Sequence, residues 1–305
     1  MKVSAHLKNK LLALGERIPV LYECLFIYFS YFKKDLMPPQ LFNYVGGVEF
    51  SGIGKEHFNH ILQFTDVKPN ESILDVGCGI GRVTIHFIDY IDKNGRYEGF
   101  DVVKKGIDWC NVKITKKYPN FSFRHANIYN KEYNKKGTID ANNFVFPYKD
   151  SSFDFAFATS VFTHMLPDAI VQYLKEIHRV LKRRGRFFIS CFLLNEDSEK
   201  HMSHSEFNFK RVNDRYGVMV EDNPEAAIAY EENFFQEVFS EARLNIIHPV
   251  HYGTWSGRKS TVHGQDIIVG EKMDSDAAAS FADKLRKNSA LTPVTSEKPT
   301  LFKEI

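Results

Sequence analysis

The feature of this 305-residue chain that most constrains its fold is a regular alternation of short apolar runs with amphipathic segments. Each run has the length and residue content of a strand, and apolar residues recur at helical spacing between the runs. Strands that alternate with helices form a mostly parallel sheet with helices on both faces. We therefore predict an α/β fold. Its five central strands are predicted at 72–77, 95–102, 121–128, 153–161 and 185–194.

The segments around this alternation define the expected organisation of the chain. Residues 1–45 are predicted to form a helical arm and lead-in, and the main domain is predicted at 46–274. A polar insert interrupts this domain at about 196–225. The tail 275–305 is rich in Ala, Ser and Lys, so we expect it to be flexible.

Three segments are predicted to complete the main domain after the insert. A helical pattern covers 227–243. Two apolar runs, 244–253 and 264–272, then resemble strands. We expect these two strands to be antiparallel and to close the sheet.

Composition excludes several classes of function. The formal net charge is +2, so no strong field indicates a nucleic-acid partner. The four cysteines form no CxxC pair, and the twelve histidines are scattered. We therefore expect no disulfide framework and no metal site, and a reducing cytoplasm fits the chain.

An apolar segment at 18–34 bears on membrane contact. Its apolar part is shorter than the roughly 20 residues that span a bilayer, and Glu23 lies inside it. We predict a helix that packs on the domain or in a homodimer contact. The alternative is an interfacial helix with Lys33 and Lys34 at the lipid headgroups, which would give a peripheral membrane contact.

Three glycines follow the first predicted strand. Gly77, Gly79 and Gly81 form a GxGxG pattern, and Arg82 stands where a dinucleotide fingerprint has its third glycine. This departure argues against a dinucleotide oxidoreductase. The glycines would instead let the backbone lie close to a flat, sugar-bearing ligand, and Asp101, at the end of the second strand, could accept both ribose hydroxyls.

The successive motifs resemble those of the class I S-adenosylmethionine-dependent methyltransferases. They are "ILDVGCGIGRVT", "YEGFDV", "FRHANIY", "FDFAFATSVFTHML" and "EIHRVLKRRGRFFIS", which cover roughly residues 71–191. The resemblance implies a Rossmann-like, mostly parallel seven-stranded sheet with an antiparallel closing hairpin. It also implies S-adenosylmethionine as methyl donor and S-adenosylhomocysteine as product. Further stretches, "FNYVGGVEFSGIG", "FTHMLP", "FLLN" and "YGTWSGR", resemble a bacterial subgroup that acts on glycans or secondary metabolites.

The resemblance also implies roles for residues at the strand ends. The glycine turn and Asp75 would surround the methionine and ribose parts of the donor, Asp101 would hold the ribose diol, and Arg82 would meet the carboxylate. The adenine would contact three residues, and the end of the fourth strand would line the methyl side. The complete set is Asp75, Gly77, Cys78, Gly79, Gly81, Arg82, Asp101, Val102, Asn127, Ile128, Thr159 and Ser160.

One histidine is the candidate general base. His164 directly follows the fourth strand, so it should lie at the mouth of the donor site. Imidazole titrates near neutrality and can take a proton from a hydroxyl acceptor. The alternative hypothesis is that His164 caps the next helix or orders a loop.

Several aromatic, amide and basic residues are candidates for the acceptor pocket. Tyr44 lies in a glycine-rich lead-in that could cover the donor, and the others lie after the fifth strand or in the predicted closing hairpin. Each of them also has an ordinary structural reading as a loop, turn or packing residue. The set is Tyr44, Asn195, Tyr252, Trp255 and Arg258.

The sequence therefore predicts a methyltransferase that acts on a small molecule or glycan precursor, by in-line transfer to oxygen. N-methylation of an amino sugar or a protein side chain stays open. RNA methylation is disfavoured because "TSVF" stands where an amino-methylating motif would follow the fourth strand. A catalytically silent partner protein is the remaining alternative, and the intact Asp75 and Asp101 argue against it.

Overall fold

The computed structural model describes residues 19–32, 35–39, 42–44 and 50–273. Expectations for residues 1–18 of the arm, for Lys33 and Lys34, for 45–49 and for the tail 275–305 lie outside the described residues. The main compact unit ends at Lys272. Among the described residues, no helix is both long and apolar enough to cross a membrane.

Eleven strands and seven α-helices make up the described elements. The strands are β1 (Ser72–Val76), β2 (Arg96–Asp101), β3 (Phe121–His125), β4 (Phe153–Ala158), β5 (Leu181–Cys191), β6 (Leu193–Leu194), β7 (Lys210–Arg211), β8 (Tyr216–Val218), β9 (Ile228–Glu231), β10 (Leu244–Ile246) and β11 (Asp266–Lys272). The helices are α1 (Pro19–Phe32), α2 (Phe50–Phe64), α3 (Thr84–Phe87), α4 (Lys104–Cys110, continued by a π-helical turn at Asn111–Thr115), α5 (Pro167–Val180), α6 (Glu196–His201) and α7 (Glu232–Glu241).

Seven strands form the large sheet, in the order β10-β11-β5-β4-β1-β2-β3. Strands β1 to β5 are parallel, whereas β11 is antiparallel to β5 and β10 is antiparallel to β11. This arrangement confirms the predicted α/β fold class and its antiparallel closing pair. The strand order reverses between β1 and β4, and ligands of open α/β sheets bind at such a switch point.

The core lies on both faces of this sheet. Ile73 and Phe155 belong to the cluster on one face, and Leu74 and Ala156 belong to the cluster on the other. This alternation follows from the two-residue period of a strand. Helix α5 covers the second face with side chains buried at helical spacing.

The region after β5 departs from the prediction. The expected helix 227–243 begins only at Glu232, because β9 precedes it. Strands β6, β9, β8 and β7 form a second sheet in and around the predicted polar insert. Ile228 and Tyr230 pack on the main core, whereas Ala229 packs on the Phe192 cluster. Burial on two sides favours an extended segment here over the helical pattern of the local sequence.

Candidate active site

A cavity of about 680 Å³ lies at the carboxyl ends of the parallel strands. This volume lies within the roughly 300–1,000 Å³ typical of small-molecule sites. One end is lined by the turn after β1 and by the end of β2, including Asp75 and Asp101. The other end is lined by the loops after β3 and β4 and by the segment that leads into β9, including His164 and Ala227.

The glycine turn has a backbone that few other residues could adopt. Gly77, Gly79 and Gly81 have φ angles of 75°, 59° and 84°, in the left-handed region that favours glycine. A Cβ atom on Gly77 would lie 2.4 Å from Cγ2 of Val161. The turn therefore needs glycine both for its conformation and for the close approach of the loop after β4.

Asp101 links the end of β2 to the glycine turn. Its Oδ2 accepts a hydrogen bond from the Gly79 N–H at 2.8 Å, and its Oδ1 accepts one from the Val103 N–H at 2.7 Å. Burial raises the pKa of Asp101 to about 6, although these N–H donors oppose the shift. The carboxylate is therefore ionised at neutral pH, and each oxygen has a further lone pair to offer a ligand.

Asp75 lies deeper in the same end of the cavity. Its Oδ2 accepts hydrogen bonds from the hydroxyls of Tyr97 and Thr84. Its Oδ1 is buried and has no hydrogen-bond partner among the described residues. Burial raises the pKa of Asp75 to about 7. Because an unsatisfied buried acceptor costs about 1–3 kcal/mol, this oxygen is suited to a donor that a ligand would bring.

Arg82 supplies a cation to this end of the cavity. The side chain is buried, and within the described ranges no carboxylate makes an ion pair with it. Burial lowers the pKa of Arg82, although the guanidinium stays charged at neutral pH. A buried cation that interacts electrostatically with Asp75, one of whose oxygens is unsatisfied, fits a ligand that carries both an ammonium and a carboxylate.

Most of the predicted donor-site residues line the cavity, but two do not. Gly81 lies against the helix behind the turn, where a Cβ atom would be 3.1 Å from the Cys110 Sγ. The Asn127 amide donates to Thr138 Oγ1 at 3.1 Å and accepts from Asn134 Nδ2 at 3.2 Å. The structure thus uses the Asn127 side chain to hold a loop, instead of placing it in the cavity wall. The predicted residues that do line it are Asp75, Gly77, Cys78, Gly79, Arg82, Asp101, Val102, Ile128, Thr159 and Ser160.

His164 lies in the wall at the opposite end. Its Nδ1 is 2.9 Å from the carbonyl oxygen of Glu225, which can only accept, so Nδ1 carries the proton. Burial lowers the pKa of His164, which keeps the ring neutral at pH 7. Nε2 then carries a free lone pair. The hydroxyl of Tyr133 lies 3.3 Å away and donates a hydrogen bond to Nε2.

Tyr133 is a cavity residue that the sequence analysis missed. Burial raises the pKa of Tyr133 to about 12, so the phenol keeps its proton. The neighbouring Asn130 amide donates to the His164 carbonyl at 3.1 Å and to Glu225 Oε1 at 2.8 Å. The position of "YNKEYN" directly after the third strand was the available signal, because such loops rim the site of an open α/β sheet.

The acceptor candidates divide into one residue at the cavity and four away from it. Tyr44 lines the cavity, and its buried hydroxyl has no hydrogen-bond partner in the part of the chain that the structure describes. Asn195 instead caps helix α6, where it accepts from the Ser198 N–H at 2.9 Å. Trp255 is buried in the core, and its Nε1 donates to Asp266 at 2.7 Å.

Arg258 and Tyr252 lie at a separate, smaller cavity of about 350 Å³. The Arg258 guanidinium stacks on the Tyr252 ring at 4.8 Å and lies 3.4 Å from Asp197. The structure therefore does not bring Asn195, Trp255, Tyr252 or Arg258 to the main cavity. The Tyr252 hydroxyl donates instead to Glu232 of helix α7 at 2.6 Å.

Comparisons with known proteins agree with this geometry. A family model described as a methyltransferase domain, Methyltransf_31, matches residues 67–243. The chain is 28% identical over 147 residues to the sterol 4-C-methyltransferase strm-1 of Caenorhabditis elegans, covering 46% of this chain and 37% of that protein. It is 31% identical over 121 residues to a demethylmenaquinone methyltransferase of Alkalihalophilus pseudofirmus, covering 39% and 44%.

A solved structure shows the same fold. The PH0226 protein from Pyrococcus horikoshii aligns with a TM-score of 0.53 at 14% identity, covering 76% of this chain and 95% of that chain. The chain spans less than half the length of the two curated relatives above. The family model, in contrast, matches more than half of the chain. The chain therefore belongs to the methyltransferase-domain family, and its fold is that of the class I S-adenosylmethionine-dependent methyltransferases.

Proposed function

We propose that this protein transfers a methyl group from S-adenosylmethionine to a hydroxyl group of a small molecule. The observation that carries the proposal is the asymmetry of the large cavity. One end offers two buried carboxylates and a cation beside a glycine turn. The other end offers a neutral imidazole in hydrogen-bond contact with a phenol.

The residues at the first end fit the donor. Asp101 would accept the ribose hydroxyls, and Val102 and Ile128 would pack against the adenine. The unsatisfied Oδ1 of Asp75 would accept from the ammonium group, and Arg82 would pair with the carboxylate. These contacts would satisfy the buried polar groups that the protein itself leaves open.

The rest of the reaction depends on placement and on one proton. Bound S-adenosylmethionine supplies a methyl group that its sulfonium already activates. The cavity walls would align the acceptor with the methyl group and exclude water. The acceptor proton would pass to the Tyr133 oxygen as the Tyr133 proton passes to His164 Nε2, which leaves the phenol neutral and the imidazole charged. The Glu225 carbonyl fixes the tautomer that makes this transfer feasible.

The lining of the acceptor end favours an apolar acceptor. Phe192, Phe207, Met165 and Leu166 lie in its wall. The curated relatives are named as a sterol 4-C-methyltransferase and a demethylmenaquinone methyltransferase. Their names support an apolar acceptor that matches this lining, but not the choice of oxygen, since the first name specifies carbon as the methylated atom. A glycan precursor, and nitrogen as the methylated atom, remain alternatives within the proposal.

The cellular setting belongs to the same proposal. All four cysteines are free, which fits a reducing cytoplasm.

Calorimetric titration tests the donor assignment directly. We expect saturable binding of S-adenosylmethionine and S-adenosylhomocysteine, no binding of NAD, and strongly reduced binding in Asp101→Asn. The matched control is Asp154→Asn, because Asp154 pairs with Lys182 on the same sheet but away from the cavity. Folded protein that binds neither sulfur compound would contradict the proposal. With binding established, transfer of a tritiated methyl group to sterol, hydroquinone and sugar acceptors would identify the substrate class.

A further inference from the structure

Helix α1 has two faces of opposite character. Phe26 and Ser30 are buried on its inner face. On the outer face, the side chains of Ile27, Tyr28, Tyr31 and Phe32 are between 55% and 70% exposed. We refer to these four residues as the α1 face. Four large apolar side chains on one exposed helical face exceed the scattered apolar residues normal for a protein surface.

Cations border the α1 face. The Lys116 ammonium lies 4.8 Å from the centre of the Tyr31 ring. Lys117 is next in the chain, and its ammonium lies 5.1 Å from the centre of the Tyr118 ring. Both lysines are exposed, and neither makes an ion pair with a carboxylate of the described residues. Two nearby acids are engaged by other lysines, since Glu23 pairs with Lys105 at 2.6 Å and Asp108 pairs with Lys104 at 2.7 Å.

We propose that the α1 face, with Lys116 at its border and Lys117 next to it in the chain, docks on an anionic phospholipid bilayer. Tyr side chains favour the membrane interface because one end of the ring is apolar and the other is polar. Ile and Phe side chains add apolar area that would enter the acyl boundary. Lysines at the edge would be attracted to anionic headgroups. A face of this chemistry fits a charged lipid surface better than a purely apolar protein groove.

The position of α1 connects the docking face to the cavity. The inner side of α1 packs on Phe42 and Trp109, and Tyr44 packs on the same cluster. Tyr44 also lines the cavity. Docking would therefore bring the cavity close to the bilayer, with this cluster between them. If the protein is a methyltransferase as proposed, it would then draw its acceptor from the membrane. That consequence rests on the proposed function, whereas the docking itself does not.

Vesicle flotation tests the docking. The purified full chain would be mixed with vesicles of phosphatidylcholine containing about 30% of the anionic lipid phosphatidylglycerol, and in parallel with pure phosphatidylcholine. We expect flotation with the anionic vesicles, and about 10-fold weaker partitioning of Tyr31→Ser/Phe32→Ser, since two large side chains leave the interface. The matched control Val145→Ser/Val212→Ser also removes two exposed apolar side chains and should float like the wild type.

The charge component has its own variant. Lys116→Glu/Lys117→Glu should lose binding to the anionic vesicles while the apolar face stays intact. Cys24 is the one exposed cysteine of the four, so an environment-sensitive dye there should shift to the blue when vesicles are added.

Three results would overturn the docking. The first is absence of flotation with anionic vesicles, and the second is an equal loss of flotation in the Val145→Ser/Val212→Ser control. The third is a protein dimer, seen by sedimentation without lipid, that is lost in Tyr31→Ser/Phe32→Ser and therefore buries the α1 face. Calorimetry with S-adenosylmethionine on the same preparations separates a failure of docking from a failure of the proposed function. The docking variants leave the donor end unchanged, so their affinity for S-adenosylmethionine should equal that of the wild type.

Discussion

At the donor end of the cavity, the charged groups come from one continuous strand-turn-helix-strand unit. At the acceptor end, the polar groups come from three separate segments. Asp75 and Asp101 lie near the ends of adjacent parallel strands, and the Gly79 N–H ties the second strand to the turn after the first. Tyr133, His164 and Glu225 meet only because two loops and the segment before β9 converge. An end built on one continuous unit suits a ligand shared by a whole family, whereas an end assembled from separate loops can change its substrate when a loop is replaced.

The largest expected effect lies at the acceptor end. Tyr133→Phe removes only the hydroxyl, and His164→Gln removes the proton acceptor. Since general-base catalysis is worth about 10²–10⁴-fold, we expect each variant to lower kcat by about 100-fold with the identified acceptor. Calorimetry should show unchanged affinity for S-adenosylmethionine. The double variant should be little worse than either single one, because the two groups act as a unit.

A purely structural role for the pair would produce a different pattern. At saturating S-adenosylmethionine, the wild-type kcat/KM for the acceptor should fall at acidic pH as His164 becomes protonated, and this limb should disappear in His164→Gln. Thermal stability of the folded variants provides the control. Retention of the acidic limb in His164→Gln would assign it to another group.

At the donor end, Gly77→Ala should reduce S-adenosylmethionine affinity by about 100-fold, through left-handed strain of roughly 1–3 kcal/mol together with the overlap with Val161. Gly264→Ala is the matched control, because Gly264 has a φ of 69° but its Cβ atom would meet no described atom within 4 Å. Val161→Ala in the Gly77→Ala background should recover part of the affinity by relieving the overlap. Wild-type affinity in Gly77→Ala would show that the turn does not approach the ligand.

The affinity for S-adenosylmethionine should depend on pH through Asp75 at the donor end. Below a pKa of about 7, Asp75 is protonated and cannot pair with a ligand ammonium, so S-adenosylmethionine affinity should rise about 10-fold from pH 6 to pH 8. Asp75→Asn should flatten this slope, although its affinity at pH 8 should be low. A slope that persists in this variant would contradict the assignment.

Stability of the ligand-free protein should respond in the opposite direction. Burial raises the pKa values of Asp75 and Asp101 above the ordinary value for Asp, so the native state holds protons that the unfolded state has released. The contribution of these groups to stability therefore falls as pH rises from about 4 to 7. Asp75→Asn should remove part of that fall in ligand-free denaturation curves.

The smallest effect is expected outside both ends. Asn195→Ala should lower the free energy of unfolding by about 1 kcal/mol, because it removes the cap of α6. Donor affinity and kcat should stay unchanged. A loss of turnover without a loss of stability would instead support a role for Asn195 in the acceptor site, as the sequence predicted.

Some residues were placed correctly from the sequence, and others were not. The sheet and the places of Asp75 and Asp101 were predictable, because local periodicity and short motif spacing determine them. Asn195, Trp255 and Arg258 were assigned to the acceptor pocket because they follow the right strands, and the structure instead places them in a cap, in the core and at a separate cavity. Strand β9 was missed because its burial comes from two distant layers.

By itself, the sequence determined the parallel sheet, the glycine turn and the pair of carboxylates, since each depends on residues close in the chain or on the regular period of a strand. The tertiary structure alone decided which side chains line the end of the cavity that we propose for the acceptor. The Tyr133–His164 contact spans 31 residues and the His164–Glu225 contact spans 61. Such contacts depend on how loops close over the sheet, and their geometry follows from packing between layers instead of from any local pattern.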